Sequence, residues 1–89
     1  MTKAVFLDRD GVLNEALVRD GRPYSPRTLE ELVIVAGAGD ALGLLRHNGY
    51  WLVVVTNQPD IARGKMARED LRAMHQYLMG RLPIDAIEL

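Results

Sequence analysis

The 89-residue chain contains no cysteine, which excludes disulfides and thiolate metal sites within it. No charge excess of either sign stands out. The formal net charge is −1, so nothing draws the chain toward nucleic acid or an anionic membrane. No apolar run approaches the length of a membrane span. The N-terminal "MTKAVFLDRD" carries one Lys3 and an apolar segment too short for a signal peptide, so a cytoplasmic location is expected. Internal repeats, low-complexity tracts and linkers are also missing. What remains is a chain with 48% hydrophobic and 26% charged residues, the composition of an ordinary globular protein. Its length suits one small domain.

The pattern reads strand, loop, helix, strand, loop, helix, strand. Residues 4–8 form a continuous apolar run ending in Asp8, as in a strand buried on both faces. Residues 11–27 are irregular, with Asp20-Gly21 as a hairpin tip. Gly37 to Asn48 reads as a helix with Ala38, Ala41, Leu42 and Leu45 on one face and "HNG" as its stop. "WLVVVT", residues 51–56, is a second buried strand, with Tyr50 and Trp51 assigned to strand packing. Arg68 to Arg81 is the clearest helix, with Leu71, Met74, His75, Leu78 and Leu82 on one side. "DAIEL", residues 85–89, begins a third strand. Strands alternating with helices predict an α/β fold with parallel pairing through right-handed crossovers. Ligands in such sheets bind beyond the carboxyl ends of the strands, which brings Asp8–Asp10 and Thr56-Asn57 to one rim.

The sharpest feature is "AVFLDRDGVLNEA", where an apolar strand runs into two carboxylates two residues apart, followed by Gly11. Such carboxylates repel, so something must compensate. A turn-forming role would explain one Asp. A calcium loop of the EF-hand type fails, because Val12 occupies its third ligand position and Leu13 its glycine position. Phosphoryl transfer explains the pair. A carboxylate can attack phosphorus and form an acyl phosphate, and a divalent cation such as Mg²⁺ relieves the repulsion between acids and phosphate. The second carboxylate then serves as acid and base. Gly11 permits a sharp turn beside the substrate.

"FLDRDGVLN" resembles the first signature of the haloacid dehalogenase superfamily of phosphatases, and "VVVTNQPDIARG", residues 53–64, resembles the second signature of its histidinol-phosphate and heptose-bisphosphate phosphatase branch. Pro59-Asp60 stand where that branch more often has Ser-Gly. The resemblance implies a partial Rossmannoid three-layer fold with a parallel sheet, three of whose strands lie in this chain. It implies Asp8 as nucleophile and Mg²⁺ ligand, and Asp10 as acid/base that also lends its carbonyl to the metal. Thr56 would bind the transferred phosphoryl group, and Asn57 would orient the substrate. Arg63 and Lys65 are candidate contacts to the sugar or a second phosphate. One of Arg19, Arg22 and Arg27 is expected to reach the substrate. Arg9 is assigned a structural role on the opposite side of the chain, because strand alternation points it away from the two acids. His47 and His75 are also assigned structural roles.

The resemblance further implies that residues 1–89 are the N-terminal part of one domain without a cap. The third motif, the fourth motif and a structural Zn²⁺ loop would come later. Such a piece, truncated or split, is expected to be inactive by itself. The complete domain is expected to be monomeric, whereas the first strand, central in the family's sheet, would here be an exposed edge through which the piece self-associates. The implied partner is a small phosphorylated metabolite, with no nucleic acid and no membrane. The favoured activity is Mg²⁺-dependent hydrolysis of D-glycero-D-manno-heptose 1,7-bisphosphate through an aspartyl phosphate. Histidinol phosphate is the alternative substrate, and a non-catalytic half-domain needing a separate C-terminal half is the alternative function. A phosphoacceptor receiver domain is disfavoured, because its acceptor follows the third strand.

Overall fold

In the computed structural model, residues 3–64 and 66–88 are described. The elements in chain order are β1 (Lys3–Asp8), β2 (Leu17–Arg19), β3 (Arg22–Tyr24), a 3-10 turn (Leu29–Glu31), α1 (Ala38–His47), β4 (Tyr50–Val55), α2 (Pro59–Ala62), α3 (Arg68–Arg81) and β5 (Ala86–Glu88). The chain therefore follows the predicted alternation. The β2–β3 hairpin and the short α2 fill the two segments the pattern leaves irregular.

β1, β4 and β5 form one parallel sheet in the order β1-β4-β5. Each step in that order is a β-helix-β crossover. Two right-handed crossovers advancing in the same direction place both helices on the same face. The buried residues agree. Leu52 and Val54 of β4 share one core with Ala38 and Leu42 of α1 and with Leu71, Met74 and Leu78 of α3. Val5, Leu7 and Ile87 pack against it from the flanking strands.

The expectation of strands buried on both faces is corrected here. Alternate residues point to the uncovered side, where Phe6 is 70% exposed, Trp51 49% and Val55 44%. Trp51 does not pack in the interior. It carries the Arg46 guanidinium over its ring at 5.4 Å, while Tyr50 does pack against the core. Ala41, predicted on the inner face of α1, is exposed. Among the described residues the structure thus holds the sheet and one helical layer. β1 stands at the sheet edge, as expected for this stretch.

Local chemistry sets the element ends. Asp20 and Gly21 both take positive φ (52° and 74°), the conformation a two-residue type I′ hairpin demands and Asp-Gly supplies. The Asn48 side chain donates to the Leu44 carbonyl at 2.7 Å and closes α1. Leu82, at the end of α3, is extended (φ −122°, ψ 146°), as the following Pro83 requires. Asp85 fastens β5 to β4. It accepts from the Leu52 N–H at 2.8 Å, and its other oxygen pairs with Arg46.

Candidate active site

β1 ends at Asp8 and the chain folds back on itself. Gly11, with φ 85°, makes the reversal that a residue with a Cβ would resist. The amides of Val12, Leu13 and Asn14 then converge on the Arg9 carbonyl at 3.3, 2.8 and 3.2 Å. This tight loop corrects the placement of Arg9. Extended alternation would turn its side chain away from the acids, but the strand has already ended. The Arg9 guanidinium curls back, 1% exposed, and donates from Nε and one terminal nitrogen to Asp10 Oδ1 at 2.9 and 2.7 Å.

Asp10 is the hub of the site. Its Oδ1 also accepts from Asn14 Nδ2 at 2.9 Å. Its Oδ2 accepts from Ser25 Oγ at 2.6 Å and from Gln58 Nε2 at 3.4 Å. Burial pushes this carboxyl's pKa up. Hydrogen bonds from Ser25, Asn14 and Arg9, with the Arg9 charge, outweigh burial and leave it below the ordinary value. Gln58 Nε2 also donates to Thr56 Oγ1 at 2.6 Å. The loop after β1 and the loop after β4 are therefore joined side chain to side chain, and the Thr56 hydroxyl keeps its own proton for another acceptor. Two buried oxygens, Asn14 Oδ1 and Gln58 Oε1, have no partner among the described residues.

His75 on α3 completes the cluster from behind, with its Nε2 3.1 Å from the second terminal nitrogen of Arg9. Burial first, and the Arg9 charge second, depress its pKa to about 4 despite the opposing pull of Asp10. The ring is neutral at pH 7. It also lines a groove of about 680 Å³ with Thr56, Asn57, Arg68, Arg72 and Gln76.

The remaining predicted residues are less engaged. Asp8 is exposed at the end of β1 and has no side-chain hydrogen bond or ion pair among the described residues. Thr56 is buried, whereas Asn57 and Arg63 are exposed. Lys65 lies outside the described residues. Arg19 is held by the hairpin, its guanidinium 4.6 Å from the Tyr24 ring centre and 3.9 Å from Glu31. Arg27 also lies over Tyr24, at 5.7 Å. Sequence reasoning overlooked Asn14 and Gln58, which stand inside the quoted motifs, and Ser25, which lies outside them just after β3. His75 lies 66 positions from Arg9, and no local signal pairs them.

The donor set suits a hard divalent cation. Among the described residues the Asp8 carboxylate has no side-chain partner, and no main-chain N–H bonds the Asp10 carbonyl. Mg²⁺ binds through one or two such protein oxygens and fills its remaining positions with water and phosphate. Among the described residues no group of three or more His, Cys, Asp or Glu gathers at one place. No described helix is long and apolar enough to cross a membrane.

No family model matches the chain. Individual proteins do. The chain is 38% identical over 76 residues to the D-glycero-D-manno-heptose-1,7-bisphosphate 7-phosphatase of Chlorobaculum tepidum, covering 85% of this chain and 36% of that protein. It is 43% identical over 76 residues to the corresponding β-anomer 7-phosphatase of Pseudomonas putida, covering 85% and 41%. The fold superposes on the D,D-heptose 1,7-bisphosphate phosphatase of B. bronchiseptica, solved with magnesium and phosphate, with a TM-score of 0.79 and 29% identity over 98% of this chain and 49% of that one. The enzyme of Burkholderia thailandensis gives 0.71 and 34%, over 99% and 52%. The chain thus spans roughly two fifths to a half of the relatives it matches. With the motifs in order on the same folded frame, it belongs to the haloacid dehalogenase superfamily of phosphatases, on the D,D-heptose 1,7-bisphosphate phosphatase branch.

Proposed function

We propose that residues 1–89 are the N-terminal part of one uncapped phosphatase domain that hydrolyses a small sugar phosphate with Mg²⁺, D-glycero-D-manno-heptose 1,7-bisphosphate being the favoured substrate. The observation that supports this is the Asp10–Gln58–Thr56 link, which joins at one strand rim the carboxylate that this reading makes the acid/base and the hydroxyl that it makes the phosphoryl binder. Asp8, without a side-chain partner among the described residues, attacks phosphorus. The ester P–O bond breaks, and the leaving oxygen takes a proton from Asp10. Water then attacks the aspartyl phosphate and gives its proton to Asp10, releasing phosphate and restoring Asp8. The surroundings of Asp10 favour its carboxylate, the form the second step needs. A phosphate dianion arriving beside it pushes the other way and favours the protonated form the first step needs. Thr56 donates to a phosphoryl oxygen and Asn57 orients the ester. Asn57 lines the groove, and Arg63, just past α2, and Lys65, two positions on in the sequence, are the candidate contacts to the sugar or its second phosphate. Asp8 and the Asp10 carbonyl would hold Mg²⁺, which neutralises charge between nucleophile and phosphate.

A second reading is a half-domain that is silent until its uncovered sheet face is covered. Exposed Phe6, Trp51 and Val55 favour it. One experiment separates the two. The chain is incubated with Mg²⁺ and beryllium fluoride, and ¹⁹F spectra are recorded for wild type and Asp8→Asn, alongside phosphate release from the heptose bisphosphate and from histidinol phosphate. The phosphatase reading expects an adduct that Asp8→Asn abolishes. Hydrolysis that survives Asp8→Asn overturns it. A wild-type chain with neither adduct nor turnover by itself, and with both once the remainder of the domain is added, supports the silent half-domain.

A further inference from the structure

We infer that His75 is a positioning residue for Asp10, acting through Arg9. The purpose given to Asp10 rests on the phosphatase reading, while the geometry stands on the following contacts. A guanidinium has donors and no acceptor. At 3.1 Å from Arg9, His75 Nε2 must therefore be the acceptor, so the ring is neutral with its proton on Nδ1. The depressed basicity of the ring agrees. Arg9 is then bonded on two edges, Nε and one terminal nitrogen to Asp10 Oδ1 and the other terminal nitrogen to His75. A planar fork held at both edges cannot swing.

The consequence reaches the reacting centre. Three donors fix Oδ1 from one side, two from Arg9 and one from Asn14. The carboxylate plane is then set, and Oδ2 is turned toward Ser25 and Gln58. Gln58 holds Thr56 Oγ1 with the same nitrogen. Oδ2 and the Thr56 hydroxyl are thereby presented to one spot, where an ester oxygen and a phosphoryl oxygen would sit. Without an acceptor at position 75, one edge of a fully buried cation would lose its partner. Arg9 would then seek another acceptor, and Asp10 would lose its orientation. α3 thus governs the acid/base although it contributes no group that touches the substrate in this role.

Long-range ¹⁵N–¹H spectra of the wild-type chain read the tautomer directly, and the expected pattern is a neutral ring protonated on Nδ1. A ring protonated on Nε2, or on both nitrogens at pH 7, overturns the inference even if no variant folds. Two substitutions follow. His75→Gln retains an acceptor near the Nε2 position, whereas His75→Leu has none. In His75→Leu the Arg9 Nη1 protons, which lose their acceptor, should exchange on the order of tenfold faster, as loss of one charge-assisted hydrogen bond implies. The Asp10 ¹³Cγ resonance should shift with it, and His75→Gln should restore both. Asp10 ¹³Cγ unmoved in a folded His75→Leu chain overturns the positioning role and leaves His75 as packing alone. No turnover is needed, so the two readings fail separately. If fluoride trapping at Asp8 fails while these shifts appear, the phosphatase reading falls and the His75–Arg9–Asp10 anchor stands.

Discussion

On the covered face of the sheet, Leu52 and Val54 lie fully buried under α1 and α3, while on the opposite face Phe6 is 70% exposed. The two carboxylates of the first motif divide in the same way. Asp10 sits on a loop laced into the covered side and accepts from Arg9, Asn14, Ser25 and Gln58. Asp8 follows Leu7 onto the same side as Phe6 and stands exposed. One half of the candidate site is therefore built into a finished core, and the other half rests on a surface that nothing described covers. The cause is topological. Two crossovers of one hand, stepping the same way along the sheet, spend both helices on one face.

This contrast should appear first in core stability. Leu52→Ala is expected to cost about 3 kcal/mol through lost burial and the cavity left behind. Phe6→Ala should stay within about 0.5 kcal/mol. Urea denaturation measures both, and equal costs would mean the open face is covered in solution. The carboxylates come next. Asp10→Asn weakens the partner of a fully buried arginine and should cost about 2 kcal/mol, while Asp8→Asn should be close to neutral for stability yet abolish the beryllium fluoride adduct.

The acid limb of stability offers a smaller and more selective effect. Burial and the Arg9 charge depress the His75 pKa to about 4 from 6.5, so the unfolded chain takes up this proton first. The contribution is present above pH 6.5 and is lost as pH falls toward about 4. His75→Gln should flatten that window. Asp10, whose pKa is lowered from 3.8, contributes stability that is present above 3.8 and is lost as pH falls through its lower folded value. Denaturation midpoints at a series of pH values separate the two. The smallest effect concerns the sheet edge. Among the described residues β1 pairs on one side only, and it carries Phe6, so weak self-association is expected, and Phe6→Lys should reduce it in sedimentation experiments.

Strand and helix order, the Asp20-Gly21 hairpin tip and the limits of α3 were legible in the sequence because each rests on local rules: periodicity, turn chemistry, or a proline past a helix end. The motif residues were legible because catalytic types cluster tightly at strand ends. Three misreadings share a different origin. Burial of both strand faces was assumed from apolar content, which reports that a residue can be buried and not that something lies against it. Ala41 was placed inside by helical period alone. Arg9 was placed by strand alternation, which lapses once Gly11 reverses the chain.

From its residues alone this chain determined which segments become strands and helices and which carboxylates and hydroxyl stand at the strand ends, because those properties depend on neighbours a few positions apart. Only the folded structure decided that Arg9 turns back onto Asp10, that Gln58 joins the two motif loops, that His75 stands behind them, and that the described residues leave one face of the sheet bare. Those facts depend on contacts between segments far apart in the chain, whose directions the crossover geometry sets and no local pattern encodes.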